Sequence, residues 1–190
     1  KDFQRMCDIA VRGLDELLDY QRYPVVAAHV STMNRRPLGV GIINFAYWLA
    51  KNDLSYSDPR ALALVDEYAE AWSYYLIRAS NQLAIEKGAA PKNNETKYGL
   101  GILPIDTYKR EVDELVAPNY RMDWEQLRKD LKMFGIRNST LMALMPAETS
   151  AQVANATNGI EPPRSLISIK QSKHGVLKQV VPEFRKLKNK

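Results

Sequence analysis

The sequence predicts an α/β chain weighted towards helix, and three observations carry that expectation. Long stretches place apolar residues at helical spacing, two short uncharged runs suit buried strands, and a late pair of β-branched segments brackets a turn. The 190 residues suffice for a sizeable core, and 45% hydrophobic with 26% charged residues exclude disordered, collagen-like and low-complexity chains. A single structural segment over residues 1–190 is expected, without internal repeat or linker.

The first helix is expected from Asp2 to Tyr20, with Phe3, Met6, Ile9, Ala10, Leu14, Leu17 and Leu18 as its apolar stripe and Pro24 beyond its end. A short segment from Val25 to Val30 leads to a basic turn at Asn34, Arg35, Arg36 and Pro37. Leu38 to Ile43 mixes glycine with branched residues and reads as a buried strand or a tight strand-to-helix passage, followed by a helix from Asn44 to Lys51. Ser57, Asp58 and Pro59 start a long helix through Leu62, Val65, Ala69, Trp72, Leu76, Ala79 and Leu83, stopped by Gly88.

Ala89 to Pro104 reads as loop; helices are expected over Asp106 to Val116 and Asp123 to Phe134, capped by their aspartates, with Gly135 closing the second. Ser139 to Met145 carries no charge and suits an interior strand ended by Pro146, and Glu148 to Asn155 looks helical. Leu166 to Lys170 and Val176 to Val181, around Ser172 and Gly175, predict a β-hairpin.

A single cysteine, Cys7, makes an internal disulfide impossible and a thiolate metal cluster untenable, and His29 and His174 are too far apart in sequence to suggest a zinc site. Neither histidine belongs to a nucleophile–base–acid pattern. The longest apolar run, Leu38 to Ala50, is interrupted by Asn44 and falls short of the roughly 20 residues a membrane span needs. No apolar signal region opens the chain, so no membrane association and a reducing, cytoplasmic setting are expected. Residues 164–190 hold eight Lys/Arg against Glu183 alone, while the preceding residues carry a slight acidic excess. Such a tail reads first as a solvated face, and nucleic-acid binding is not inferred from it. The alternative function it allows is a non-catalytic helical module that recruits an anionic partner through Lys186, Lys188 and Lys190.

The most informative local arrangement is a strand, then Pro146, Ala147, Glu148, Thr149 and Ser150, then a helix. A helix start leaves amide donors unpaired and carries partial positive charge, and Thr149 and Ser150 add hydroxyls, so a phosphate or diphosphate is one occupant. The other reading is an ordinary helix start with Glu148 as its capping acid, and the local pattern alone favours it. Asn155 to Pro163 is rich in side-chain amides and closed by a rigid proline pair: it either lines a pocket or satisfies its own backbone. Cys7 reads as a small core hydrophobe, Tyr74 and Tyr75 as one core and one boundary residue, and Arg35 and Arg36 as a solvated turn.

Taken together, Asn34-Arg-Arg-Pro-Leu-Gly-Val-Gly-Ile-Ile-Asn-Phe-Ala-Tyr-Trp-Leu-Ala50, Gly101-Ile-Leu-Pro-Ile-Asp-Thr-Tyr108, Arg137-Asn-Ser-Thr-Leu141, Pro146-Ala-Glu-Thr-Ser150 and Asn155-Ala-Thr-Asn-Gly-Ile-Glu-Pro-Pro-Arg164 resemble one family. It is the large (alpha) subunit of aerobic class I ribonucleotide reductase, and the resemblance runs in order from about Asp2 to Glu183. It implies a central to C-terminal slice of a ten-stranded α/β barrel around a finger loop. It also implies that Pro146, Ala147, Glu148, Thr149 and Ser150 bind the substrate's diphosphate through backbone amides and hydroxyls.

The implied reaction replaces the 2′-hydroxyl of a ribonucleoside diphosphate by hydrogen through a cysteine thiyl radical. The family's radical cysteine, reducing cysteines and specificity-effector site are expected before Lys1, and its relay tyrosines and C-terminal redox cysteines after Lys190. The segment alone is therefore expected to be inactive, to carry no catalytic residue and no metal, and to bind no cofactor itself. The implied partners are the remainder of the large subunit, a second large subunit, a small (beta) subunit bearing a metal/tyrosyl radical, ATP and deoxynucleotide effectors, and a thioredoxin- or glutaredoxin-type reductant.

Overall fold

The computed structural model describes residues 2–172 and 175–187. Their backbone forms eight α-helices and one two-stranded sheet, and the contacts divide into two compact units, Lys1–Val40 with Leu64–Met142, and Gly41–Ala63 with Ala143–Lys190.

In the first unit, helix α1 (Asp2–Tyr20) spans the expected residues but turns a different stripe inward. Cys7, Val11 and Asp15, spaced by four, are buried, with Phe3, Leu14 and Leu18 packed partly against the core, whereas Met6, Ile9 and Leu17 are exposed. Cys7 packs as expected, and burial, then the neighbouring Asp8, pushes its thiol up to about 11, which keeps it protonated near neutrality. The segment after Pro24 is helical where only a connection was expected: α2 (Val26–Arg35) ends as Arg36, at φ 45°, donates its N–H to the Thr32 carbonyl at 2.6 Å. No side chain caps α2 and none of its residues is buried, so neither usual sequence sign of a helix was present.

Two longer helices frame the core. α4 (Pro59–Lys87), whose residues from Leu64 onward belong to this unit, buries Leu76, Ile77, Ala79 and Leu83. α6 (Trp124–Phe134) buries Trp124, Leu127 and Leu131, and Asp123 caps it by accepting the Gln126 N–H at 2.9 Å. Glu70 of α4 accepts from the Arg121 and Met122 N–H groups and from Trp124 Nε1 at 2.8, 3.1 and 3.0 Å, fixing the approach to α6. Tyr74 and Tyr75 are both half-buried, with Tyr74 edge-on to Trp124 at 5.3 Å and Tyr75 edge-on to Phe3 at 6.1 Å.

The helix expected from Asp106 to Val116 is divided into α5 (Pro104–Thr107) and a 3₁₀ segment at Arg110–Glu114. The Asp106 carboxylate accepts the Leu103 N–H at 2.7 Å and both terminal nitrogens of Arg128 on α6 at 2.7 and 2.9 Å. It therefore caps the turn from its third position, with the helix beginning at Pro104 and not after Asp106, and Tyr108 is extended beyond it. Gly135 closes α6 at φ 76°, ψ −166°, a region open essentially to glycine alone. A Cβ there would sit 2.8 Å from the Ala89 Cβ and 3.0 Å from Asn93 Nδ2. Gly135→Ala is therefore expected to cost about 1–3 kcal/mol, read as a lower urea midpoint; an unchanged midpoint would contradict this close approach.

The expected strands over Leu38–Ile43 and Ser139–Met145 reduce to a single parallel bridge between Val40 and Met142. Leu38 N–H donates to Thr140 O at 3.0 Å and Val40 N–H to Leu141 O at 2.7 Å, so both segments are extended but pair along one short edge among the described residues.

The second unit holds α3 (Phe45–Lys51), α7 (Glu148–Val153), the hairpin β1 (Ile167–Ser172) and β2 (Gly175–Val180), and α8 (Phe184–Leu187). The hairpin is antiparallel as predicted, in the register Ile167 with Val180 and Ser172 with Gly175. Phe45 lies tilted against Trp48 at 5.6 Å and edge-on to Tyr56 at 5.7 Å, and Leu49, Ala61, Ala151 and Ala156 are buried. The Tyr56 hydroxyl donates to the Ile160 carbonyl at 2.7 Å.

Candidate functional site

Within the second unit, Pro146 to Ser150 turn the chain into α7. Ala147 is the residue before the helix, and the first helical hydrogen bond runs from Ala151 N–H to the Ala147 carbonyl at 2.8 Å. Among the described residues no backbone carbonyl accepts from the Glu148, Thr149 or Ser150 N–H groups, and all three residues are exposed. Three open amides and two hydroxyls thus share one turn, a donor set suited to phosphate oxygens.

Asn155, at φ 51°, ends α7 in the left-handed region, and Ala156 N–H returns to the Ala151 carbonyl at 2.8 Å. That reversal carries residues 156–159 back along the helix, where Asn158 Oδ1 accepts the Ala147 N–H at 2.7 Å. The amide-rich segment therefore supports the candidate turn rather than its own backbone. It also lines a cavity of about 370 Å³ together with Glu148, Arg164, Lys170 and Gln179. Of the five predicted residues only Glu148 reaches that cavity; Pro146, Ala147, Thr149 and Ser150 do not line it.

Glu148 does not stand as an isolated charge beside the open amides. Lys170 of β1 lies 2.6 Å from its carboxylate, and that hydrogen bond, with the charges of Lys170 and Arg164, holds the carboxyl below the ordinary glutamate range. Lys170→Met is expected to raise the Glu148 titration midpoint toward the ordinary value in a carbon-detected NMR titration. A midpoint that stayed put would remove Lys170 as the cause.

Sequence reasoning passed over Lys170, Asn44 and the role of Asn158. Asn44 did leave a trace, as the lone polar residue interrupting the apolar run from Leu38 to Ala50. Arg35 is exposed and pairs with Glu95 at 2.5 Å, but Arg36 is buried at 4% exposure, which corrects the solvated-turn expectation for that residue. Its guanidinium donates to Asp15 and Asp19 of α1, so it is occupied within the core of the first unit. His29 is exposed and edge-on to Tyr23 at 5.1 Å, and His174, Lys188 and Lys190 lie outside the described residues. Among the described residues no three His, Cys, Asp or Glu side chains gather as a metal site, and no helix is long and apolar enough to cross a membrane.

The family model described as ribonucleotide reductase, barrel domain, matches residues 1–190. A ribonucleoside-diphosphate reductase subunit alpha of Buchnera aphidicola is 57% identical over 98% of the chain and 25% of its own length. The Haemophilus influenzae subunit of the same name is 61% identical over 94% of the chain and 24% of its own length, and that of enterobacteria phage T4 is 52% identical over 94% and 23%. The chain thus spans about a quarter of the length of these relatives. The helix-rich architecture with its small sheet agrees with a slice of an α/β barrel. With the barrel-domain model matched over residues 1–190 and relatives 57% and 61% identical over 98% and 94% of the chain, the chain belongs to the ribonucleotide reductase family.

Proposed function

We propose that this chain is the part of a ribonucleoside-diphosphate reductase alpha subunit that holds the substrate's diphosphate, with Pro146, Ala147, Glu148, Thr149 and Ser150 as the binding turn. The observation that carries the reading is the donor set at that turn: three backbone amides without carbonyl acceptors beside the Thr149 and Ser150 hydroxyls. Family membership and the names of the relatives support it from a second direction.

The whole protein would replace the 2′-hydroxyl of a ribonucleoside diphosphate by hydrogen. The departing oxygen leaves as water and the two electrons come from a thioredoxin- or glutaredoxin-type reductant. The radical would be supplied by a metal/tyrosyl-radical beta subunit, to an alpha subunit that forms dimers, takes ATP and deoxynucleotide effectors, and works in the cytoplasm. No residue of this chain is given a radical or redox role: its sole cysteine, Cys7, is buried in the first unit with its thiol pushed up to about 11. Its own part is binding and orientation of the diphosphate.

The decisive experiment is ribonucleoside diphosphate binding by a Thr149→Ala/Ser150→Ala variant of the complete polypeptide that carries these residues. Lys186→Met is the control for the anionic-partner module. Lys186 is paired with Glu183 at 3.2 Å and does not line the cavity beside Glu148. The reductase reading expects affinity to fall in the first variant and hold in the second.

A further inference from the structure

Resting on the reading of residues 146–150 as the diphosphate turn, we propose that Asn158 is its positioning residue, holding the turn through the Ala147 amide while leaving the next three amides open. Ala147 N–H finds no backbone carbonyl and donates instead to Asn158 Oδ1 at 2.7 Å, a partly buried bond eleven residues across the sequence. The acceptor is itself fixed from the other side. Asn44, at φ 68°, donates its N–H to the Thr157 carbonyl at 2.8 Å and accepts the Thr157 N–H on Oδ1 at 3.1 Å. Phe45 N–H adds a bond to the Gly159 carbonyl at 3.4 Å.

Gly159 lets the strap pass close to the turn: its φ is 50°, and a Cβ there would approach the Met145 carbonyl to 3.3 Å. The chain of contacts therefore runs from Asn44 to Thr157, Asn158 and Ala147, by backbone and side-chain amides only. It stops one residue short of the open donors at Glu148, Thr149 and Ser150. A donor set serves an anion best when its geometry is fixed before binding, and every group in this strap acts on the backbone that carries those donors.

The test uses the complete polypeptide that carries these residues, assayed with its partner subunit. Asn158→Ala is expected to raise the Michaelis constant for a ribonucleoside diphosphate about tenfold while leaving kcat within about twofold, since the lost bond orders the turn and not the reacting carbon. Site-resolved amide exchange supplies the second readout. In the wild type the Ala147 amide is expected to exchange more slowly than those of Thr149 and Ser150. That protection is expected to vanish in Asn158→Ala and persist in Asn158→Asp, which keeps the acceptor.

A folded Asn158→Ala protein with an unchanged Michaelis constant overturns the assignment. Should that variant not fold, a wild-type Ala147 amide exchanging as fast as Thr149 overturns it equally. A raised constant in Thr149→Ala/Ser150→Ala beside an unchanged one in Asn158→Ala would leave the diphosphate turn standing and remove only its strap. An unchanged constant in the Thr149→Ala/Ser150→Ala protein removes the turn's role and the positioning role with it.

Discussion

Arg36→Ala is expected to destabilise the folded chain by about 3–5 kcal/mol, a fall of roughly 6–20 °C in thermal midpoint. The reason is the carboxylate it would strand. Asp15 is fully buried, and its Oδ1 accepts from Arg36 Nε at 2.7 Å and Asn138 Nδ2 at 2.9 Å, while Oδ2 accepts from Arg137 Nε at 3.1 Å. Arg36 also donates to the Asp15 carbonyl at 2.8 Å and to both oxygens of Asp19 at 2.8 and 2.7 Å. Asn138 is buried as well: its N–H donates to Ser80 Oγ and its Oδ1 accepts from the Ser80 hydroxyl, at 2.9 and 2.8 Å. Removing the guanidinium leaves a buried charge with one cation and one amide, and desolvation is no longer offset. Arg36→Lys should fall between, because a single ammonium cannot serve two carboxylates and a carbonyl in one fork.

The same network sets an acid limb. Burial alone would raise the Asp15 carboxyl, but the bonds from Arg36, Asn138 and Arg137 outweigh it and hold it below the ordinary aspartate range; Asp19 is lowered chiefly by Arg36. Depressed folded-state values mean that this stability is present above the unfolded aspartate value and disappears as pH falls through the folded ones. In Arg36→Ala the loss should begin at higher pH. Urea midpoints of both proteins across the acid range check this, and a variant within about 0.5 kcal/mol of wild type at neutrality would show that the pair contributes little.

The Thr149→Ala/Ser150→Ala protein should lose about 1.5–3 kcal/mol of diphosphate binding per hydroxyl, or about 10- to 150-fold for each. Both hydroxyls sit in the first turn of α7 and are exposed, and alanine is the better helix former, so the turn should persist without them. The backbone amides of Glu148, Thr149 and Ser150 stay in place, so binding should weaken and not vanish. Inorganic pyrophosphate should lose affinity in step with the nucleotide, because the removed groups address the diphosphate and not the base. Equal affinity in variant and wild type, measured by equilibrium titration, would exclude the turn as the diphosphate site.

Local patterns carried much of the fold into view. Proline and aspartate at the start of α4, Asp123 before α6 and Gly135 behind it set helix limits from groups that act within one turn. The hairpin followed from branched residues around Ser172 and Gly175, and the turn at Pro146 was visible as a helix start rich in hydroxyls. What the sequence by itself determined, then, were the elements whose caps and periodicity lie within a few residues, together with the family, whose motifs are contiguous.

Only the tertiary structure decided which polar group meets which. Asp15 lies outside the stripe that the spacing of apolar residues predicts, and it is buried because Arg36, Arg137 and Asn138, up to 123 residues away, close around it. Asp106 looks like the start of one long helix, but its carboxylate caps the turn behind it and binds Arg128 of α6, and the expected helix breaks into two short pieces. Asn158 looks like part of a self-satisfied loop until the left-handed Asn155 folds it back onto Ala147. In each case the competing local arrangement costs little, and a buried amide or carboxylate selects among such arrangements by the hydrogen bonds it must not lose, which are formed by residues distant in sequence.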